Sequence, residues 1–275
     1  MKKYPVALQL YSVRDFCEQD FEGTIKKVKD MGYDGVEFAG TYGRDAKALA
    51  EYCKSIGIVP ISAHVAYAEL MSNVPAVVKY YAEIGVKYIA IPYLAEDDRP
   101  CKKNYDELLK NIKVISAECK KYGIELAYHN HDFEFEVVDG VYALDKLYTD
   151  LTPDELKTEL DLCWVNVGGE NPSTYILKYS DRAPIVHFKD FAGKANGKMY
   201  ALIGVDDDAD TSEKTDSPFE FRPVGKGYQK FPEILESVKK CNTEWIVVEQ
   251  DQTSMGLSSL ECAEESIKYL NTINK

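Results

Sequence analysis

The sequence repeats one unit along its whole length: a short apolar run followed by a longer amphipathic stretch. Each run is apolar on both faces, which is typical of a strand buried inside a parallel sheet. The stretches 21–31, 46–56 and 74–84 place apolar residues at helical spacing and end at a glycine, the residue that commonly terminates a helix. The stretch 104–122 follows the same pattern. The eight apolar runs cover residues 6–10, 35–38, 58–63, 88–92, 124–129, 157–161, 185–188 and 245–249.

This alternation predicts βαβ units with right-handed crossovers, and eight such units predict a closed barrel. The length of 275 residues is close to the roughly 250 of one eight-fold barrel. We therefore expect a (β/α)8 TIM barrel as a single domain over residues 1–275. One segment, 192–229, lacks apolar periodicity and separates the seventh strand from the helix that follows it. A loop of this length predicts a lid or an interface arm, and a homo-oligomer is an open expectation.

Charge and composition exclude several classes of function. A formal net charge of -13 repels phosphate backbones, so we expect no nucleic-acid partner, and it favours a neutral sugar over a sugar phosphate. No stretch approaches the ~18 apolar residues of a membrane span, and the first ten residues lack the apolar run of a secretion signal. The seven cysteines are odd in number and form no C-x-x-C pair, which indicates reduced thiols in a cytoplasmic protein.

Polar residues stand where the predicted strands end. Active sites of such barrels are built at the carboxyl ends of the strands, so these side chains are the candidates for the chemistry. All four histidines of the chain are among them, a placement that a random scatter would not give. The candidates are Gln9, Glu37, His64, His129, Asn130, His131, Asp161, His187, Lys189 and Glu249.

Asp161, His187 and Glu249 come from three adjacent predicted strands. Two carboxylates and an imidazole suit one divalent ion such as Mn²⁺, Mg²⁺, Co²⁺ or Zn²⁺. Other interpretations remain open for two of them. Asp161 would also serve as the cap of a helix after the sixth strand, and Glu249 as the partner of Lys189 or Arg222 in an internal salt bridge.

Six strings of the sequence carry a resemblance to a known superfamily: SAH at 62–64, YHNHDFEF at 128–135, ELDLCWVNVGG at 159–169, VHFKD at 186–190, FRPVGKG at 221–227 and WIVVEQDQ at 245–252. Together they make the chain resemble the xylose-isomerase-like superfamily of sugar isomerases and epimerases, over nearly its whole length. A subgroup that has the YHNHDFEF string includes lyases that act on 3-keto-glycosides.

The resemblance implies one divalent ion held by four strand-end residues, at positions that correspond to His129, Asp161, His187 and Glu249. The family has a glutamate at the first of these positions, so this chain departs from the pattern there. Paired glutamates on strands 5 and 8 serve the related epimerases as acid and base, and here His129 replaces one of the pair. Glu249 is then the expected base, and whether His129 is a ligand or the base stays open.

Further residues follow from the resemblance or from their placement. His131 or Lys189 is expected to act as the acid, in the same pocket as Glu249. Arg222 matches a family arginine that reaches substrate oxygens, although it would also fit a surface position, and Trp164 is either a wall for a sugar ring or part of the core. The remaining candidate substrate contacts are Gln9, Glu37, His64 and Asn130.

The shared chemistry is the removal of a proton next to a sugar carbonyl, with the metal stabilising the enediolate. We expect an isomerase or epimerase of a small-molecule sugar or keto-sugar. The first alternative is a lyase or hydratase that cleaves 3-keto-glycosides by elimination at C1–C2. The second is a non-catalytic sugar-binding barrel. A DNA-repair nuclease of the same superfamily is disfavoured by the acidic charge and by the small number of histidines.

Overall fold

Eight parallel strands close into a barrel in the computed structural model, which describes residues 3–194 and 218–275. Each strand pairs with the next one along the chain, and the last pairs with the first. This confirms the predicted (β/α)8 architecture. The barrel strands are β1 (Val6–Gln9), β2 (Gly35–Ala39), β3 (Val59–His64), β4 (Tyr88–Ile91), β5 (Glu125–His129), β6 (Lys157–Asp161), β7 (Ile185–Phe188) and β8 (Trp245–Val248).

The helices pack outside the barrel, and their ends follow the sequence signals. Asp20 and Asp45 cap the amino ends of two helices with their carboxylates, and Gly32 and Gly57 end the same helices in the left-handed conformation. None of the helices in the described ranges is both long and apolar enough to cross a membrane. The α-helices span Arg14–Cys17, Phe21–Met31, Ala46–Ile56, Tyr67–Ser72, Val74–Ile84, Tyr105–Lys120, Ala143–Asp150, Leu162–Val167, Pro172–Tyr175, Phe231–Val238 and Ser259–Ile273.

One irregularity in the barrel positions a charged side chain. The register between β2 and β3 shifts between Val36 and Glu37, so that Glu37 lies opposite Ser62 and Ala39 lies opposite His64. Such a bulge re-aims the residue beside it. The Ser62 hydroxyl consequently donates a hydrogen bond to the Glu37 carboxylate, inside the barrel.

The interior of the barrel changes character along its axis. Inward-facing residues recur at every second position of a strand, so a strand contributes one side chain to each layer. At the amino end, a buried apolar cluster is packed against Trp245. It consists of Ala7, Ile61, Tyr88, Ile185 and Val247. Two residues further along, the same strands contribute Gln9, His187 and Glu249, which are buried and polar.

The segment 192–229 lies partly outside the described residues, at 195–217. Its two ends form a hairpin in which Asp190–Ala192 pairs antiparallel with Glu220–Arg222. The Asp190 carboxylate accepts hydrogen bonds from the backbone N–H groups of Gly225 and Gly227, which ties the returning chain to β7. A Cβ on Gly227 would lie 2.3 Å from the Asp190 Oδ1, so this close approach requires glycine. A lid or interface role for the segment stays a prediction.

Candidate metal centre and active-site cavity

The four residues expected to bind a metal meet at the carboxyl end of the barrel. His129, Asp161, His187 and Glu249 are all buried, and one ligand atom from each lies within 4.8 Å of the others. The His129 Nε2 lies 3.4 Å from the Asp161 Oδ2 and 3.5 Å from the Glu249 Oε2. The His187 Nδ1 lies 3.1 Å from the same Glu249 oxygen. The ends of β5 to β8 therefore converge on one point.

The two carboxylate oxygens of Asp161 have different surroundings. Its Oδ1 accepts hydrogen bonds from the backbone N–H groups of Cys163 and Trp164, which caps the helix that starts after β6. Its Oδ2 is buried, makes no hydrogen bond, and faces His129. The cap and the ligand interpretations are compatible, because each uses a different oxygen.

Asn130 holds Asp161 through the backbone. Its amide Oδ1 accepts from the Asp161 N–H at 2.9 Å, and its Nδ2 donates to the Asp161 carbonyl at 3.3 Å. The side chain is completely buried. These contacts make Asn130 a positioning residue for the carboxylate, and its expected contact with substrate stays a prediction.

Several buried atoms that could bind a metal at this centre lack hydrogen-bond partners. Both ring nitrogens of His129 and the Oδ2 of Asp161 are in this state. Buried polar atoms are normally paired, because an unpaired one keeps the full cost of its desolvation. Two imidazoles and two carboxylates are the ligands that zinc, cobalt and manganese ions accept. The residues present therefore fit a bound divalent ion.

Lys189 supplies the positive charge beside these carboxylates. Its ammonium lies 2.8 Å from the Glu249 Oε2, 3.1 Å from the Asp251 Oδ2 and 3.3 Å from the Asp161 Oδ2. Burial alone would lower the pKa of Lys189, but the carboxylates of Asp251, Glu249 and Asp161 outweigh it and hold the pKa well above its usual range. Lys189 is thus an ammonium at neutral pH, and the salt bridge between it and Glu249 is present.

The carboxylates stay ionised in this setting. Burial would raise the pKa of Asp161, but Lys189 and His129 lower it to about 2. Burial likewise opposes the ionisation of Glu249, and Lys189, followed by His129 and His187, holds its pKa well below the usual range. Both side chains are therefore available as anionic ligands at neutral pH.

His131 differs from the other histidines. Burial, followed by the charges of His129 and Lys189, holds its pKa well below the ordinary value. Its ring stacks on Phe133 with centroids 5.3 Å apart, and its Nδ1 has no hydrogen-bond partner. His131 is consequently a neutral imidazole that is both a weak proton donor and a weak proton acceptor. Between the two expected acids, Lys189 is favoured because it carries a proton to donate and lies 2.8 Å from the Glu249 Oε2.

A cavity of about 430 Å³ opens above this centre, within the size range of small-molecule sites. Tyr11 and Tyr93 stand on its walls, and Arg14 lies over the Tyr11 ring at 4.0 Å. Lys189 is the one lysine or arginine among the described lining residues. The lining comprises Tyr11, Ala39, Gly40, His64, Ala66, Glu69, Pro92, Tyr93, His129, His131, Lys189, Glu249 and Asp251.

Four other expected substrate contacts are not among these described lining residues. Gln9 and Glu37 lie beneath the cavity, joined by a hydrogen bond of 2.7 Å. Trp164 is fully buried behind Lys189, whose ammonium lies 5.3 Å from the centroid of the indole ring. Arg222 lies on the hairpin and pairs with Glu220 at 2.6 Å. Trp164 therefore takes the core position that was its alternative.

Two acidic residues of the site were missed in the sequence. Glu159 is completely buried and its Oε2 lies 2.6 Å from the His64 Nε2. Asp251 pairs with Lys189 from the loop after β8. Each stands two positions from an expected ligand, Asp161 or Glu249, and therefore on the same face of the chain in an extended segment. That spacing was the signal available.

Comparisons with known proteins agree with the barrel fold. A curated inosose dehydratase from Lacticaseibacillus casei is 23% identical over 280 residues, covering 92% of this chain and 90% of its own length. The structure of a sugar phosphate isomerase/epimerase from Parabacteroides distasonis is 21% identical, with a TM-score of 0.75 over 98% of this chain and 94% of that one.

A third comparison concerns metal. The crystal structure of the IOLI protein with a bound zinc atom superposes with a TM-score of 0.72 at 15% identity, covering 99% of this chain and 98% of that one. At such identities, the two structural matches show the fold alone. The family described as xylose isomerase-like TIM barrel matches residues 25–273. The chain is thus an enzyme that belongs to the xylose isomerase-like TIM barrel family.

Proposed function

We propose that this enzyme is a metal-dependent carbon–oxygen lyase that removes water from a neutral cyclic polyol ketone of the inosose type. The observation that carries the proposal is the contact of 2.8 Å between the Glu249 Oε2 and the Lys189 Nζ on the cavity floor. A carboxylate and an ammonium side by side provide a base and an acid on one face of a substrate. Elimination of water needs that pair.

The sequence favoured an isomerase or epimerase, and two observations favour the lyase alternative instead. His129 stands where a two-glutamate epimerase would have its second carboxylate, so the paired bases for two-faced proton transfer are incomplete. The curated relative from Lacticaseibacillus casei is an inosose dehydratase, which is a lyase. A non-catalytic barrel would have no need for a buried ammonium among three carboxylates, since their desolvation is costly.

The proton transfers balance within the Glu249–Lys189 pair. Glu249 takes the proton from the carbon beside the carbonyl, the C–O bond of the neighbouring hydroxyl breaks as the C=C bond forms, and Lys189 donates the proton with which that hydroxyl leaves as water. The proton on Glu249 then returns to Lys189 across their contact. A divalent ion held by His129, Asp161, His187 and Glu249 would supply Lewis-acid polarisation of the carbonyl oxygen.

The charge of the cavity supports an uncharged substrate. Lys189 already contacts the carboxylates of Asp161, Glu249 and Asp251, and Glu69 is one further carboxylate of the described lining. The charges of a bound divalent ion and of Lys189 together would not exceed those of these four carboxylates, so the site would offer a phosphate group no excess positive charge. The hydroxyls of a polyol would instead find carboxylate, imidazole and phenol groups to bond.

The test is a substrate panel in D2O with the metal-loaded protein. An inosose, a 3-keto-glucoside and a free ketose are each incubated, and NMR and mass spectra follow solvent deuterium uptake and loss of water or aglycone. We expect loss of water from the inosose, with an enone or its diketone tautomer as product, and no reaction after the metal is removed by chelation. Deuterium uptake with conversion to an isomer, and with no loss of water or aglycone, would restore the isomerase interpretation.

A further inference from the structure

A second group of possible metal ligands lies deeper in the barrel than the cavity. The His64 Nε2 is 2.6 Å from the Glu159 Oε2 and 3.1 Å from the Glu37 Oε1. The His187 Nε2 is 2.9 Å from the same Glu37 oxygen and 3.5 Å from the same Glu159 oxygen. Two imidazole nitrogens and two carboxylate oxygens thus alternate around a closed ring.

The contacts between neighbouring atoms of the ring can be compared with the ligand spacing around a tetrahedral ion. Ligands at 2.0–2.1 Å from a tetrahedral ion lie roughly 3.3–3.4 Å from one another. The four contacts around the ring run from 2.6 to 3.5 Å, and three of them are shorter than that separation. Small outward shifts of the four side chains would therefore admit an ion at the centre.

The charge of the ring calls for a cation. Glu37 and Glu159 are both completely buried, and among the described residues their ion pairs are with histidines alone. Glu37 also accepts hydrogen bonds from the Gln9 amide and the Ser62 hydroxyl, whereas Glu159 is paired only with the two histidines among the described residues. The His64 and His187 rings are stacked with centroids 5.4 Å apart and planes 9° apart, so both present a nitrogen to the same two carboxylates. A divalent ion among these four atoms would neutralise both buried carboxylates.

Buried atoms without hydrogen-bond partners at the ring also favour a bound cation. The Glu159 Oε1 is buried and accepts no hydrogen bond, and the His187 Nε2 makes no hydrogen bond of normal geometry despite its two close carboxylates. A layer whose only task was to orient His187 would be expected to bond these atoms directly.

We propose that Glu37, His64, Glu159 and the Nε2 of His187 bind a second divalent cation of the zinc or cobalt type, beneath the first. His187 then faces the first ion with Nδ1 and the second with Nε2, and its ring proton passes to solvent when both are bound. Because three of the four ligands come from β2, β3 and β6, the second ion ties the early half of the barrel to the strands that hold the first. It fixes the floor of the cavity through His64.

The test counts metal ions. Purified protein is equilibrated with Zn²⁺, and bound metal is measured after removal of the excess. We expect two equivalents in the wild type and one in Glu159→Gln. A matched control is Glu125→Gln, at the opposite, amino end of β5, where the carboxylate is 3.2 Å from the Lys157 ammonium on the surface side. This variant should keep two equivalents.

A second measurement covers the case in which Glu159→Gln does not fold. Loading the wild type with Co²⁺ should give two successive steps of visible absorption, and ions joined by the His187 ring should show magnetic coupling in electron paramagnetic resonance. A wild type that binds one equivalent, or a folded Glu159→Gln that keeps two, would overturn the second site. The metal count and the reaction assay can fail separately. Loss of water from the inosose with one ion bound would refute the second site alone. Two bound ions without loss of water would refute the lyase alone.

Discussion

The two ends of the barrel interior are built on the same strands but in opposite ways. At the amino end, Ile185 and Val247 pack with other apolar side chains in a closed cluster. Two residues further along β7 and β8 come His187 and Glu249, both buried among charges. The backbone, the spacing and the degree of burial match at the two ends, and the side-chain chemistry alone differs.

The difference shows that the apolar end stabilises the fold, whereas the charged end is costly to bury and depends on the rest of the fold. Burying an Ile or Val side chain contributes about 1.5–3 kcal/mol. Burying a charge costs several kcal/mol, which a partner only partly offsets. The carboxyl end therefore persists because the apolar end and the helix contacts hold the strands in place. Substitutions at the two ends of the barrel should therefore have different effects on activity and stability.

The largest effect is expected at Glu249, and Glu244 at the opposite end of β8 provides the control. Glu249→Gln removes the proposed base, so deuterium exchange at the carbon beside the carbonyl should fall about 10³-fold, within the range of general-base effects. Its control, Glu244→Gln, changes a half-exposed carboxylate 2.5 Å from the Lys87 ammonium, and should keep wild-type exchange with a stability loss of at most about 1 kcal/mol. Exchange at the wild-type rate in Glu249→Gln would assign the base to another residue.

Two positions on β7 separate metal binding from stability. His187→Ala should lose bound metal, because its ring faces both candidate sites. Ile185→Ala, two residues earlier, should keep the wild-type metal content while losing about 2–5 kcal/mol of unfolding free energy, as buried Ile to Ala changes do. Elemental analysis and denaturant unfolding measure the two effects. Metal loss in both variants would mean that the two ends are not separable.

A smaller effect is expected from the proposed acid. Lys189→Met keeps the length of the side chain but removes the ammonium, so loss of water should slow about 100-fold while deuterium exchange slows less. The comparison variant is His131→Asn, which alters a neutral ring on the same floor and should change the ratio of the two rates less. NMR in D2O gives both rates from one sample. An unchanged ratio in Lys189→Met would exclude it as the donor to the leaving hydroxyl.

The regular part of this fold was predictable from local patterns. The ranges of β6 and β7 and of the helices Phe21–Met31, Ala46–Ile56 and Val74–Ile84 agree with the expected bounds, because apolar spacing and terminal glycines encode them directly. The bulge at Glu37 was not predictable, since it depends on how β2 pairs with β3. Strand-end placement likewise grouped Asp161, His187 and Glu249 as candidate metal ligands, and the family resemblance added His129 to them.

The ring of Glu37, His64, Glu159 and His187 beneath the cavity was not predictable, for a different reason. Glu159 stands within an apolar strand, where a lone buried carboxylate is unfavourable. Its acceptability depends on His64, which is distant in sequence and 2.6 Å away in the barrel. The sequence left open whether Trp164 forms a wall for a sugar ring or part of the core. Its place behind Lys189 depends on Phe219 and Phe221, which pack around it from the hairpin. Partners from other strands decide both cases.

The smallest effect concerns how the carboxyl end is held in position. Asn130→Ala removes the two hydrogen bonds to the Asp161 backbone while leaving every candidate ligand in place. Metal affinity should fall about 10-fold, the lower end of the range for groups that orient a ligand, and turnover at saturating metal should stay near the wild type. Asn171→Ala is the control, because its side chain caps an exposed helix start by accepting from the Ser173 N–H. It should cost about 1 kcal/mol of stability without changing metal affinity. Equal metal affinity in the two variants would show that the capping of the following helix alone fixes Asp161.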